Sequence, residues 1–223
     1  MARGNSKTQH RGQVYYAKIT GLKEGEQVRF DMVKKDPETN KYVTEGTEKM
    51  LSGHMVGAIH DTWTYQGELK DRCKIVLNDP TSGNDGETYY VEFSPTSGIG
   101  RSIINSLLGA TNFLSDVKIS LYNNKDNGYA SVGMYLGGER MNWKYKPEDL
   151  NKYVSETTEK AKDASGKLVT KTKKNYVELN EFLLNEFKNK IVKQFDNGSA
   201  SVIDHQDTQP AATAEAADDG LPF

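Results

Sequence analysis

The sequence predicts a mainly β protein with minor α content, and three observations carry that expectation. Between residues 13 and 94 the dominant hydrophobic period is two, broken by turn residues into short runs. A single amphipathic helical pattern then interrupts the strands at residues 98–113, and further strand-like runs follow it. Hydrophobic residues make up only 35% of the chain, which suits a folded body carrying unfolded ends. At 223 residues the chain is long enough for one medium domain with appendages.

Residues 1–12 hold Arg3, Lys7 and Arg11 among Gly4, Asn5 and Ser6 with no acid, and read as a flexible basic arm. Strands are expected at residues 14–20 and 27–34. The turn Asp36-Pro37-Glu38-Thr39-Asn40 leads into a third at 42–57. Runs at 60–65 and 69–77 flank Gln66-Gly67, residues 78–86 form a polar loop, and 88–94 return to strand. Ile99, Ile103, Ile104, Leu107 and Leu108 recur at helical spacing behind Ser97, a good N-cap. Residues 117–122 and 129–136 read as a hairpin, which 140–146 extends. Many strands, one helix and two or three further strands is the element order of an OB-fold, a small Greek-key barrel. That domain is expected over residues 13–146, with a sandwich or half-barrel as the alternative.

Residues 147–195 read as an extension that packs on the barrel. Pro147 opens a short helix, and strands at 153–162 and 167–174 flank the turn Asp163-Ala164-Ser165-Gly166. Tyr176, Leu179, Leu183, Phe187, Ile191 and Phe195 place one apolar face on a long helix, with dimerisation as the second choice for covering it. Residues 196–223 cannot bury a core and read as a disordered tail.

Charge is uneven. Six of the 31 acids fall in residues 196–223, which hold no Lys or Arg, so the remaining body carries 29 bases against 25 acids. A mildly basic body with an acidic tail suits a protein whose ligand is a polyanion. Cys73 is the only cysteine, and there is no apolar run of membrane-spanning length and no signal-peptide pattern. A soluble, cytoplasmic protein without membrane partners is the expectation, in a bacterial cell or in one infected by a phage.

Alternation sorts side chains by face. On residues 69–77, Leu69, Cys73, Ile75 and Leu77 are expected inside and Lys70, Arg72 and Lys74 outside. Arg29 points out beside inward Val28, Phe30 and Met32. Lys118 and Tyr122 point out beside inward Val117, Ile119 and Leu121. Tyr129 and Tyr135 are exposed beside inward Ala130, Val132, Met134 and Leu136. Trp63 with Tyr65, and Trp143-Lys144-Tyr145, add two aromatic pairs at strand spacing, for which core or edge packing is an equal alternative. Cations that follow phosphates and rings that stack on bases of any sequence are what nonspecific single-strand binding requires. Lys160, Lys162, Lys167, Lys171, Lys173 and Lys174 form a further basic stretch, diluted by Glu156, Glu159 and Asp163.

Catalytic readings find no support. His54, His60 and Asp61 match no metal-site spacing, so neither a metal nor another cofactor is expected. The run Gly98-Ile99-Gly100-Arg101-Ser102 lacks a phosphate-binding lysine and reads as a tight helix start. No carboxylate cluster suggests a nuclease.

The chain ends Asp218-Asp219-Gly220-Leu221-Pro222-Phe223. Proline stiffens the segment and the terminal ring offers a large apolar face flanked by carboxylates, which suits a shallow apolar pocket rimmed by Lys or Arg. This tip resembles the acidic end of single-stranded DNA-binding proteins, commonly Asp-Asp-Asp-Ile/Leu-Pro-Phe, with Gly220 departing from the pattern. The resemblance covers six residues and the layout of folded body, polar tail and acidic tip, and a phage-type member fits best. It implies a nonenzymatic protein that holds single-stranded DNA in replication, recombination and repair. Asp218, Asp219, Leu221, Pro222 and Phe223 would recruit partner enzymes, and the tip could lie in the DNA groove when DNA is absent. A β-rich protein-interaction or virion structural domain is the alternative, and a homo-oligomer is left open.

Overall fold

The computed structural model describes residues 12–23, 25–82, 86–162 and 168–196. Residues 1–11 of the basic arm, the turn at 163–166, Lys167, and the tail from residue 197 to its tip fall outside the described residues.

Nine strands form one mixed sheet: β1 (Gln13–Thr20), β2 (Arg29–Lys35), β3 (Tyr42–Glu48), β4 (Met50–Tyr65), β5 (Glu68–Asp79), β6 (Glu87–Phe93), β7 (Val117–Asn123), β8 (Ala130–Leu136) and β9 (Glu139–Arg140). Their spatial order is β3-β2-β1-β6-β5-β4-β7-β8-β9. All pairings are antiparallel except β1 with β6, which are parallel from Gln13↔Glu87 to Lys18↔Glu92. The expected mainly β class is therefore found.

The expected closed barrel is not what forms. Closing β4–β8 into a ring would require the outer edge of β6, and β1 occupies that edge. The sheet keeps two ends, β3 and β9, but it curls strongly. In a flat sheet five strand spacings would part β3 from β4 by about 24 Å. Only Lys49 lies between them in the chain, so the β3 end must come round to the start of β4. Hydrogen bonds hold it there: Leu121 N–H donates to the Lys49 carbonyl at 2.8 Å and Val28 N–H to Asn123 Oδ1 at 3.1 Å. Asn123 Nδ2 donates to the Glu26 carbonyl at 2.9 Å.

Two boundaries differ from expectation for the same reason. The run expected at 42–57 breaks at Lys49, where the chain passes from one end of the sheet to its middle. The runs at 42–57 and 60–65 then overlap in the 16-residue β4, continuous through a register shift between Met55 and Gly57. The 140–146 extension stops after Arg140. Asn105 on the helix below captures the following segment, accepting Tyr145 N–H at 2.9 Å and donating to its carbonyl at 2.8 Å.

The inner face of the curl is filled by helices. α1 (Gly98–Gly109) starts at Ser97, whose Oγ accepts the Gly100 N–H at 3.0 Å. Gly100 is required there, since a Cβ would stand 1.9 Å from the Ser94 carbonyl oxygen, and the tight helix start is what forms. α2 (Pro147–Leu150) and a single 3-10 turn lead to the projecting hairpin β10 (Ser155–Lys162) and β11 (Leu168–Asn175). The long C-terminal helix comprises α3 (Val177–Glu186), a π segment (Phe187–Val192) and α4 (Lys193–Asp196).

Its apolar residues recur every fourth position, and on an α-helix each such step drifts about 40°. The wider π turns reduce that drift and keep Leu179, Leu183, Phe187 and Ile191 facing the core, where all four are buried. Phe187 packs edge-on against Phe93 of β6. The long helix thus packs on the inner face of the sheet. Substituting Phe187→Ala should cost about 3–5 kcal/mol in urea unfolding, because a fully buried ring would leave a cavity between sheet and helix. A cost under about 1 kcal/mol would mean that the helix does not seal the core.

Candidate nucleic-acid interface

Curling gives the sheet an inside and an outside, and the ladder registers assign each side chain to one of them. On the outside of β4 lie Ile59, Asp61, Trp63 and Tyr65. Opposite the last three are Arg72, Lys70 and Glu68 on β5. Lys74 and Val76 continue outward on β5, opposite Glu92 and Tyr90 of β6. Tyr90 and Glu92 stand beside Tyr16 and Lys18 of β1, and Val33, Asp31 and Arg29 of β2 complete the rows. Six sequence-predicted residues, Arg29, Trp63, Tyr65, Lys70, Arg72 and Lys74, therefore share one face: alternation points the four cations outward, and of the two alternatives for Trp63 and Tyr65 the register puts both rings on that same side.

Two features of this face were not expected. The first is an aromatic platform. Tyr16 stacks on Tyr90 with centroids 5.4 Å apart, and Tyr42 meets Tyr16 edge-on at 5.5 Å. Val33 and Val76, buried yet outside the main core, continue the same row. Lys35 sits over the Tyr42 ring at 6.0 Å. At the far end Trp63 and Tyr65 lie 5.4 Å apart. The alternation Tyr16-Ala17-Lys18 was visible in the sequence, but the parallel pairing that sets Tyr16 on Tyr90 was not.

The second is charge matching. Arg72 donates two hydrogen bonds to Asp61, at 2.8 and 2.9 Å, and Lys74 reaches the same carboxylate at 3.0 Å. Both cations also approach the buried Glu92, at 3.7 and 3.5 Å. Lys70 pairs with Glu68 at 2.6 Å, and Arg29 with Asp31 at 3.0 Å. Burial pushes the Asp61 carboxyl up, yet the hydrogen bonds from Arg72 and Lys74 outweigh it and hold the group below the usual carboxylate range. The predicted cations are thus present on the face but engaged with acids, so a phosphate must compete for them.

Lys118, Tyr122 and Tyr135 form a second outward patch on β7 and β8. Lys118 lies 4.6 Å from the Tyr135 ring, and Tyr135 is paired with Arg140 on its other side. Tyr122 is exposed. Tyr129 lies apart from the strands, in the wall of a cleft of about 420 Å³ between the β1–β2 and β7–β8 connections.

Other expectations are corrected. Leu69 is 74% exposed rather than inside, because the β4–β5 hairpin runs past the helices that cover its inner face. Trp143 and Lys144 are not on a strand. They lie where the chain crosses α1, with Lys144 N–H donating to the Asn105 carbonyl at 3.0 Å. Tyr145 packs edge-on against Phe182 instead of presenting its ring to the sheet surface.

Two further polar groups are accounted for locally. His54 pairs with Asp116 at 2.8 Å and His60 with Asp71 at 2.7 Å, and among the described residues no cluster of three His, Cys, Asp or Glu is arranged to hold a metal. Burial raises the pKa of the Cys73 thiol, keeping it protonated and unreactive. No helix among the described residues is long and apolar enough to cross a membrane.

Because the folded-state pKa of Asp61 is depressed, its contribution to stability is present above the unfolded value of about 3.9 and is lost as pH falls through the folded value. Replacing Asp61→Asn should cost about 1–2 kcal/mol at neutral pH, with the gap to wild type narrowing below about pH 4. Chemical unfolding at a series of pH values checks this, and a gap independent of pH would contradict the ion cluster.

Comparison with known proteins returned no resemblance to set beside this geometry: no family model, no curated protein and no solved structure matches the chain.

Proposed function

We propose that the chain is a nonenzymatic, sequence-nonspecific single-stranded DNA-binding protein. The observation that carries the reading is the outer face on which Trp63, Tyr65, Tyr16 and Tyr90 alternate with Lys18, Lys70, Arg72 and Lys74 in one continuous register. Rings of that kind stack on unpaired bases irrespective of sequence, and a duplex hides those base faces. Cations interleaved with them follow the phosphates.

Connectivity supports the same reading. The run β4-β5-β6-α1-β7-β8 has the spatial strand order β6-β5-β4-β7-β8. With its one helix between the third and fourth strands, we read that order as akin to OB-fold wiring, with the preceding β1–β2–β3 meander standing at the edge of β6 where a barrel would close. On this view Arg29 and the Lys118–Tyr122–Tyr135 patch extend the track, while Trp143, Lys144 and Tyr129 lie off it. The tip Asp218-Asp219-Gly220-Leu221-Pro222-Phe223 recruits enzymes of replication, recombination and repair in the cytoplasm.

The charge matching favours one rival. A face whose cations are already paired also suits a protein partner, so a β-rich interaction domain is the second reading.

Substituting Trp63→Ala and Tyr65→Ala separates the two. Each stacked base is worth about 1–3 kcal/mol, so the double variant should weaken binding to oligo-dT at least tenfold while its unfolding transition changes little. Affinity unchanged in a gel-shift titration would remove this face as the binding site.

A further inference from the structure

We propose that the β10–β11 hairpin is a backbone-gripping arm, holding the phosphates of a nucleic-acid strand without reading its bases. The inference rests on the single-strand-binding reading and assigns that function a second, separate contact.

The hairpin is built unlike the rest of the protein. Its strands pair in register from Ser155↔Asn175 to Lys162↔Leu168. Every described side chain on it is exposed except the half-buried Val169. A two-stranded ribbon with no apolar face gains little from folding alone and is marginal in water. Its base, by contrast, is firmly held. Tyr153 stacks on Phe182 at 4.3 Å with ring planes 15° apart, and Tyr176 carries Arg101 over its ring at 4.5 Å. A ribbon of eight residues per strand therefore rises about 26 Å from a fixed base.

Its composition selects the occupant. Lys171 and Lys173 share one face with Glu159 and Thr157; Lys160 and Lys174 share the other with Glu156, Thr158, Thr170 and Thr172. Protein interfaces are centred on aromatic, Met and Arg anchors and are depleted in Lys. None of those anchors occurs on this ribbon. Ammonium groups and threonine hydroxyls are instead the donors that phosphate oxygens take. The ribbon has no ring to stack and no Arg fork for a base edge, and Asn175, at its base, is turned to the following helix, where its Oδ1 accepts the Val177 N–H at 3.0 Å, so the projecting part is left to contact the backbone.

The test is a full-chain variant carrying Lys160→Gln, Lys171→Gln, Lys173→Gln and Lys174→Gln, titrated with oligo-dT and with an abasic phosphodiester strand at several salt concentrations. Each phosphate contact on a single strand contributes about 0.7 to the slope of log affinity against log salt. The variant should therefore lose about 2–3 from that slope and bind about tenfold more weakly at low salt, by the same factor on both strands. A second variant, Glu156→Gln with Glu159→Gln, should move affinity and slope the opposite way. Slopes equal to wild type in both variants, with wild type binding normally, would overturn the arm and leave the sheet face standing. A wild-type chain that binds neither strand would remove both.

Discussion

The passage of the backbone from β3 to β4 through Lys49 is the constraint on which the rest depends. It joins one end of a nine-stranded sheet to its sixth strand across a single residue, which forces the sheet to curl. Curling creates an enclosed face that α1 and the long helix can fill, and a convex face that they cannot reach. Core burial and the proposed binding face are thereby separated onto opposite sides of the same strands. Ala17, Cys73, Ile75 and Val91 are buried inside, while their sequence neighbours Tyr16, Lys18, Arg72, Lys74, Tyr90 and Glu92 face out.

The outer face is held by opposing interactions rather than by bare positive charge. Asp61 and Glu92 fix Arg72 and Lys74, which keeps two long side chains from sampling other rotamers but lowers the field that a phosphate would feel. Under the proposed function, binding there would draw mainly on rings, with the cations contributing as the acids are displaced. The β10–β11 ribbon has a different character, lysines and glutamates among threonines and no rings, with Lys174 4.0 Å from Glu156.

Local pattern was legible in the sequence wherever one strand decided the outcome. Strict alternation sorted Arg29, Lys70, Arg72, Lys74, Lys118 and Tyr122 to the outside correctly, and four-residue spacing identified the buried face of the C-terminal helix. What could not be read was the result of distant chain segments meeting. The parallel pairing of β1 with β6 built the Tyr16–Tyr90 stack and denied the barrel its closing edge. Asn105 pulled Trp143 and Lys144 away from the sheet. Leu69 fits an inward pattern, but no described residue covers the hairpin at that height. Even the acids that engage Arg72 and Lys74 sit 11 to 20 positions away along the chain, from Asp61 with Arg72 to Glu92 with Arg72, whereas Glu68 and Asp31 lie only two positions from Lys70 and Arg29.

Intrinsic tryptophan fluorescence during titration with oligo-dT, set against a matched duplex, tests the central claim most directly. The chain has two tryptophans, one on the proposed track and one beside α1, so Trp143→Phe isolates the signal of Trp63. The account predicts quenching by single strands alone, retained in Trp143→Phe and lost in Trp63→Phe. Quenching carried by Trp143, equal quenching by duplex, or no change with any oligonucleotide would contradict it.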